Sequence, residues 1–335
     1  MEVQTLAYAA DVSARHVRFQ DSVDNGMRAI ELAAGDENQF SDVASRFATA
    51  MGFMHLGDLD AARPHVLVLL DLAERRSTPR RLAIDAYWLI TNLWCLAGDW
   101  KAGRESSGRG LDVSPLNPQI LGSRVLLEYS VGESAQGDVY LEKLLEVMRR
   151  TDTDHFSAAV RASMAISTIN RVADVPGRLE IAKAAAKSAL STDPIVPVAA
   201  MYAKSALALM AVQQDDRPAA EEQYAYFLER RGLMIWTVAS VDRLLGLLAQ
   251  TLGNLDQSAA RFEDALSFNR KAGYPPELAW TCCDYADTLR ERNGSGDKEK
   301  ALALLDESLA ISSELGMRPP MERVLSGREI LGALT

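Results

Sequence analysis

Residues 253–271, GNLDQSAARFEDALSFNRK, decide the fold. Gly253 breaks a helix, Asn254 is an N-cap candidate, and Gln257 three residues on completes a capping-box pattern. Phe262, Ala265 and Leu266 then recur three and four apart, so one stripe of a helix is apolar and the opposite face carries Arg261, Glu263 and Asp264. The segment AAEEQYAYFLER (219–230) has the same stripe. Outward from it the same turns recur: Leu56-Gly57-Asp58-Leu59-Asp60, Ala97-Gly98-Asp99-Trp100, Val175-Pro176-Gly177-Arg178 and Gln214-Asp215-Asp216-Arg217-Pro218. In each, a breaker and an N-cap candidate precede a helix-forming run, and Pro218 sits in a first turn where its missing N–H is harmless. These are loops joining two antiparallel helices.

About thirteen residues after each turn an apolar residue marks the end of the second helix, in the series Leu32, Leu70, Leu111, Met148, Leu190, Leu228, Leu266 and Leu309. The spacing stays near 40, and the stretch from Leu111 to Leu190 holds two units. Core offsets repeat too. Leu245-Gly246, Gly253, Ser258, Phe262 and Ala265-Leu266 in one unit match Ile90-Thr91, Trp94, Gly98, Gly103 and Gly110-Leu111 in another. Nothing alternates with period two beyond a few residues, and Pro194-Ile195-Val196-Pro197-Val198 reads as a loop because prolines interrupt it. The expectation is an all-α solenoid of about eight antiparallel helix pairs in one domain. Its units run roughly over 1–38, 39–79, 80–118, 119–154, 155–194, 195–233, 234–274 and 275–318, with 319–335 as a C-terminal capping helix. The unit at 119–154 is the least regular and is a candidate hinge, since each repeat touches only its neighbours.

Composition agrees with a folded chain: 48% of the 335 residues are hydrophobic and 24% charged, which excludes disorder. A net charge of −10 argues against direct nucleic-acid binding. No apolar run is long enough to span a membrane, and Glu2 and Asp11 stand where a secretory leader would be basic, so the expected location is cytoplasmic.

The pattern resembles tetratricopeptide (TPR) repeats, in the long form with a period near 40 that characterises MalT-type repeats. Residues 253–333 resemble the helical-repeat region of bacterial LuxR-type regulators and of nucleotide cyclase or ATPase signalling proteins. That resemblance implies a right-handed superhelix and an interaction or sensory role. LuxR-type DNA-binding domains commonly open with Leu-Thr, and this chain ends at Leu334-Thr335. Neither a G-x-x-x-x-G-K-[ST] phosphate loop nor a complete helix-turn-helix is present.

No catalytic signature occurs: H-E-x-x-H, C-x-x-C, G-x-S-x-G and a strand-borne G-x-G-x-x-G are all missing, so an enzyme is not expected. His16, His55, His65 and His155 do not form a converging ligand set, and neither metal nor cofactor is expected. His55, just before the Leu56-Gly57 turn, is expected to face groove or solvent. Of Cys282-Cys283, one thiol should pack inward and the other look toward the groove, because helical neighbours point about 100° apart. The pairs Arg75-Arg76, Arg149-Arg150, Arg230-Arg231 and Arg270-Lys271 close second helices, where cations complement the last carbonyls; a phosphate stripe is the rival reading.

The concave groove is the remaining candidate site. Its register places Trp88, Asn92, Arg171, Tyr202, Ser205, Arg243, Gln250, Trp280, Asp287 and Arg290 inward. Arg and aromatic side chains carry much of the energy at interfaces. The leading expectation is a scaffold that binds a protein or peptide in this groove, as the sensory or interaction region of a larger bacterial signalling protein whose flanking domains are further partners. The alternative is the inducer-binding region of a LuxR-type regulator or of a nucleotide cyclase or ATPase, with a small-molecule ligand.

Overall fold

The computed structural model describes residues 2–33, 39–75, 79–150, 155–173 and 175–333. Helices follow one another as antiparallel pairs: α1 (Glu2–Arg15) with α2 (Phe19–Ala33), α3 (Gln39–Leu56) with α4 (Leu59–Glu74), α5 (Arg80–Ala97) with α6 (Trp100–Val113), and α7 (Pro118–Ser130) with α8 (Ser134–Arg149). The second half continues with α9 (His155–Ile169) and α10 (Arg178–Leu190), α11 (Pro197–Gln213) and α12 (Arg217–Leu228), α13 (Val241–Thr251) and α14 (Leu255–Ala272), and α15 (Pro275–Arg292) and α16 (Asp297–Leu315), closed by α17 (Arg318–Ala333). The whole is an all-α, right-handed superhelical solenoid.

The turns explain the breaks. Asp58, Asp99 and Asp216 cap α4, α6 and α12, each side chain accepting from the backbone N–H three residues on. Asn254 occupies the same place before α14, but its side chain makes no capping bond there. The residues that mark the repeat spacing lie in the later part of the second helices, although Leu32 and Leu228 are exposed and of the eight only Leu266 is buried.

Odd-numbered helices pack on one another along the inside: α1 on α3, α5 on α7, α7 on α9, α9 on α11, α11 on α13 and α13 on α15. Even-numbered helices form the outer layer. The superhelix winds so tightly that units of its first half land on units five further along, with α1 against α11, α5 against α15 and α7 against α17. Hydrogen bonds tie this seam at three places. Tyr274 Oη donates to Met54 O at 2.6 Å, Trp100 Nε1 donates to Leu315 O at 2.9 Å, and Arg318 Nη2 donates to Gly132 O at 2.7 Å. Gly57 and Gly98 serve the closure twice over. Both have φ near +80°, and a Cβ on them would lie 2.6 Å from Phe268 and 2.9 Å from Leu315 of the next turn.

One segment departs from helix pairs. Between α12 and α13 a short hairpin, β1 (Met234–Ile235) with β2 (Ala239–Ser240), projects into the superhelix axis. At its tip Trp236 adopts φ 44° and is 2% exposed. A bulky side chain rarely takes this left-handed backbone, so packing around it must hold it there.

Candidate functional site

The superhelix interior is a filled bore rather than an open groove, and two clusters of side chains fill it. The first surrounds Trp236. Its ring meets His55 edge-on at 4.5 Å and Trp88 at 4.7 Å, while Phe19 stacks on His55 at 4.1 Å. His55 Nδ1 lies 2.8 Å from Met51 O and Nε2 lies 2.9 Å from Tyr202 Oη. The consistent tautomer has Nδ1–H donating to the carbonyl and Nε2 accepting from the tyrosine. Burial lowers the His55 pKa to about 4, against the opposing pull of the Met51 hydrogen bond. The imidazole is neutral at pH 7.

The second cluster surrounds Asp284, which is fully buried on α15. Its Oδ1 accepts from Arg171 at 2.5 Å and Arg323 at 2.8 Å, and its Oδ2 accepts from Arg243 Nε at 2.8 Å. Arg243 reaches on to Glu277 at 2.7 Å, and Glu277 also accepts from the Ser240 N–H at 2.6 Å. Burial by itself would raise the Asp284 carboxyl, but Arg171, Arg323 and Arg243 outweigh it and hold it well below the usual range. Burial lowers Arg171 to about 10, and the guanidinium still stays charged at neutral pH. For Glu277 burial wins and its carboxyl is raised.

Beside this network lies a cavity of about 60 Å³, lined in part by Cys95, Thr168, Arg171, Arg243, Glu277 and Trp280. It adjoins a more open pocket of about 430 Å³ that shares Tyr129, Arg171, Val172 and Trp280 with it and adds Arg318 and Arg323. Two guanidinium groups lie over the Trp280 ring, Arg171 at 5.5 Å and Arg323 at 6.0 Å from its centre. A further pocket of about 630 Å³ sits on the seam near Arg63, Arg270 and Tyr274.

The ten residues read as groove-facing divide accordingly. Arg171, Arg243 and Trp280 come together at the cavity. Asp287 lies beside them, accepting from Arg323 at 2.5 Å and pairing with Arg290 at 3.1 Å. Gln250 is further along, bonded to Glu291 at 2.8 Å and to Thr288 at 3.0 Å. Trp88, Asn92, Tyr202 and Ser205 are buried around the first cluster; Asn92 donates to Trp88 O and Ser123, and Ser205 to Tyr202 O. Five of the ten, with Arg243, are therefore no more than 5% exposed, because the bore they face is occupied by the chain itself. His55 is buried on the axis for the same reason, and so are both Cys282 and Cys283, neither thiol opening to a groove.

The residues that organise the interior and escaped the sequence reading are Asp284, Glu277, Arg323, Trp236 and Arg161. One signal was available. Three inward arginines need inward acids, and Glu277 and Asp284, seven apart, share a face of α15. Several helix-end arginines are paired on the surface: Arg150 with Glu146 and Arg270 with Glu307. Arg76, His155's side chain, Leu334 and Thr335 lie outside the described residues. Among the described residues no group of His, Cys, Asp and Glu could hold a metal ion, and no helix is long and apolar enough to cross a membrane.

In shape the chain is similar to a chain in the crystal structure of the APC/C hetero-tetramer Cut9–Hcn1, with a TM-score of 0.54 and 14% identity over 96% of this chain and 55% of that one. The fold is a TPR-like solenoid. This chain thus spans about half the length of that one. The Chs5–Bch1 exomer cargo adaptor complex also aligns, with a TM-score of 0.33 and 10% identity over 94% of this chain and 60% of the other. No protein-family model and no curated protein matches by sequence.

Proposed function

We propose that this solenoid is a protein-binding scaffold without enzymatic activity, its eight units and capping helix acting as one domain. A partner segment docks at the open end of the bore. The observation that carries this reading is the pocket lined by Trp280, Arg171 and Arg323, since the rest of the axis is filled by the chain's own side chains. Trp and Arg side chains in a concave, desolvated setting are the ones that most often dominate binding energy. Of the ten groove residues, Arg171 and Trp280 would touch the partner, while Arg243, Asp287 and Arg290 position them. The Cut9–Hcn1 assembly is a protein complex, which supports a scaffold role. The setting we infer is cytoplasmic, as the interaction or sensory region of a larger bacterial signalling protein.

A second reading is favoured by the cavity beneath the pocket. Together they have the size of a small-molecule site, as an inducer-binding region of a LuxR-type regulator or a nucleotide cyclase or ATPase would need.

The test places a photo-crosslinking residue at Arg318 beside the pocket and, separately, at Glu146 on the outer helix α8. A partner captured from Arg318 and not from Glu146, whose affinity then falls at least tenfold with Trp280→Ala, supports the scaffold reading. Equal capture from both positions, or unchanged affinity in Trp280→Ala, overturns it.

A further inference from the structure

The cavity of about 60 Å³ and the Trp280 pocket share Tyr129, Arg171, Val172 and Trp280, so these side chains border both spaces. The cavity's other walls are mostly apolar. Leu96 comes from α5, Leu126 and Leu127 from α7, Ile169 from α9, Met234 from the hairpin and Met317 from the turn before α17. Most polar groups around it are already committed. Glu277 accepts from Ser240 and Arg243, and Arg243 also donates to Asp284. Thr168 Oγ1 donates to Met164 O at 2.8 Å, Ser130 Oγ to Leu126 O at 2.8 Å, and Trp100 Nε1 to Leu315 O. A buried water needs about two to four polar partners, which such walls do not spare. What the space lacks is apolar atoms to contact.

Its size narrows the occupant. At about 10–15 Å³ for each water-sized group, about 60 Å³ admits about four to six non-hydrogen atoms. A leucine, isoleucine or methionine side chain has that size. Alanine leaves most of the space empty, and tryptophan exceeds it. The pocket sets the flanks. It is lined by Arg171, Arg318 and Arg323 and by one carboxylate, Glu322. Arg318 already pairs with Glu133. Asp284, the shared counter-ion of Arg171 and Arg323, has no exposure, whereas Arg323 is 34% exposed, so solvent meets the guanidinium side of that pair.

We infer that the cavity is an anchor site: it takes one leucine, isoleucine or methionine side chain from a linear peptide segment whose neighbouring aspartate or glutamate faces Arg171 and Arg323. This rests on the scaffold reading and adds the chemistry of the segment held. The anchor supplies the apolar contacts that the cavity lacks, and the acidic flank meets the cationic side of the pocket.

The test is a fluorescence-polarisation titration of the full chain with labelled peptides of sequence Gly-Asp-Glu-X-Glu-Asp-Gly, where X is Leu, Met, Ala or Trp. A second set carries Lys in place of the acids, and free 4-methylpentanoate serves as a small-molecule competitor. Each buried methylene is worth about fourfold in affinity, so the Leu and Met peptides should bind at least about tenfold tighter than the Ala peptide. The Trp peptide should bind no tighter than Ala, and the Lys-flanked set more weakly than the acidic set. Thr168 lies three and four residues before Arg171 and Val172, on the same side of α9. Thr168→Phe adds about four non-hydrogen atoms there and should erase the preference for Leu over Ala without lowering the melting temperature. The titration of the unsubstituted protein needs no variant to fold. The proposal is overturned by equal binding of the Leu and Ala peptides, by tightest binding of Trp, or by binding of none. Competition by 4-methylpentanoate with the affinity of the whole Leu peptide also overturns it, in favour of a small molecule. A partner captured at Arg318 and weakened by Trp280→Ala, with no preference for Leu over Ala, removes the anchor and leaves the scaffold reading standing.

Discussion

Arg243 and Arg161 both project from inner helices into the same bore, yet Arg243 meets Glu277 and Asp284 while Arg161 meets the faces of Trp88 and Tyr202. Around Asp284 every charge has a counter-charge, and the turn after α9 is tied with α13, α15 and α17 at one carboxylate. Around Trp236 the order comes from ring packing, with donors in excess. The contrast separates what each region can tolerate. A closed ion network loses heavily when its single shared acceptor goes, whereas the aromatic cluster should be sensitive to protonation of the one imidazole at its centre.

The largest effect is expected from Asp284→Asn, which leaves Arg171, Arg243 and Arg323 without their common anion. Breaking a buried pair in this way is unfavourable by about 3–5 kcal/mol. Urea unfolding of the variant beside the parent measures it, and a loss under about 1 kcal/mol would show the network to be dispensable.

His55 sharpens the other side. Its folded pKa of about 4 lies below the ordinary 6.5, so between these values the unfolded chain holds the extra proton. The stability it contributes is fully present above pH 6.5 and drains as pH falls toward 4, by up to about 3 kcal/mol. Asp85 has the opposite sign: burial raises it to about 6, so folding gains stability as pH falls through that value. Asp85 is common to both proteins and cancels when His55→Gln is compared with the parent. The expected result is a shallower fall in stability for His55→Gln between pH 7 and 4.5; parallel curves would remove the imidazole from the account.

The smallest effect belongs to the seam, outside both clusters. Trp100→Phe deletes the hydrogen bond to Leu315 O and should lower stability by about 1 kcal/mol. Calorimetric melting at pH 7 checks this, and no change would mean that apolar contact alone holds the seam.

Much of the architecture was legible because it is local. A Gly–Asp turn such as Gly57-Asp58 or Gly98-Asp99 stops one helix and caps the next within four residues, and the apolar stripe behind it follows a 3.6-residue period. Which residues face inward follows from the same period, and Arg171, Arg243 and Trp280 do meet at one cavity. Whether an inward face meets water or protein is a different question. Trp88 and Tyr202 are buried because Trp236 arrives from another unit, and that depends on superhelical pitch, the accumulated rotation of many small packing angles. The hairpin from Met234 to Ser240 carried no period of its own, being too short to alternate. Arg161 went unnoticed because a lone arginine on an alanine-rich helix face looks like any solvated charge until its neighbours are known.

An open solenoid is close to one-dimensional, with stability summed over neighbours and ends that fray first. Tyr274 on Met54, Trp100 on Leu315 and Arg318 on Gly132 join residues 186 to 220 positions apart, so this one is a spring wound until its coils touch. Units near either end are held by a unit about five positions away as well as by their neighbours, so they cannot loosen without opening part of the seam. Such a molecule trades the repeat protein's stepwise unzipping for a single all-or-none transition, and it must reach that state through contacts that form late and across most of its length.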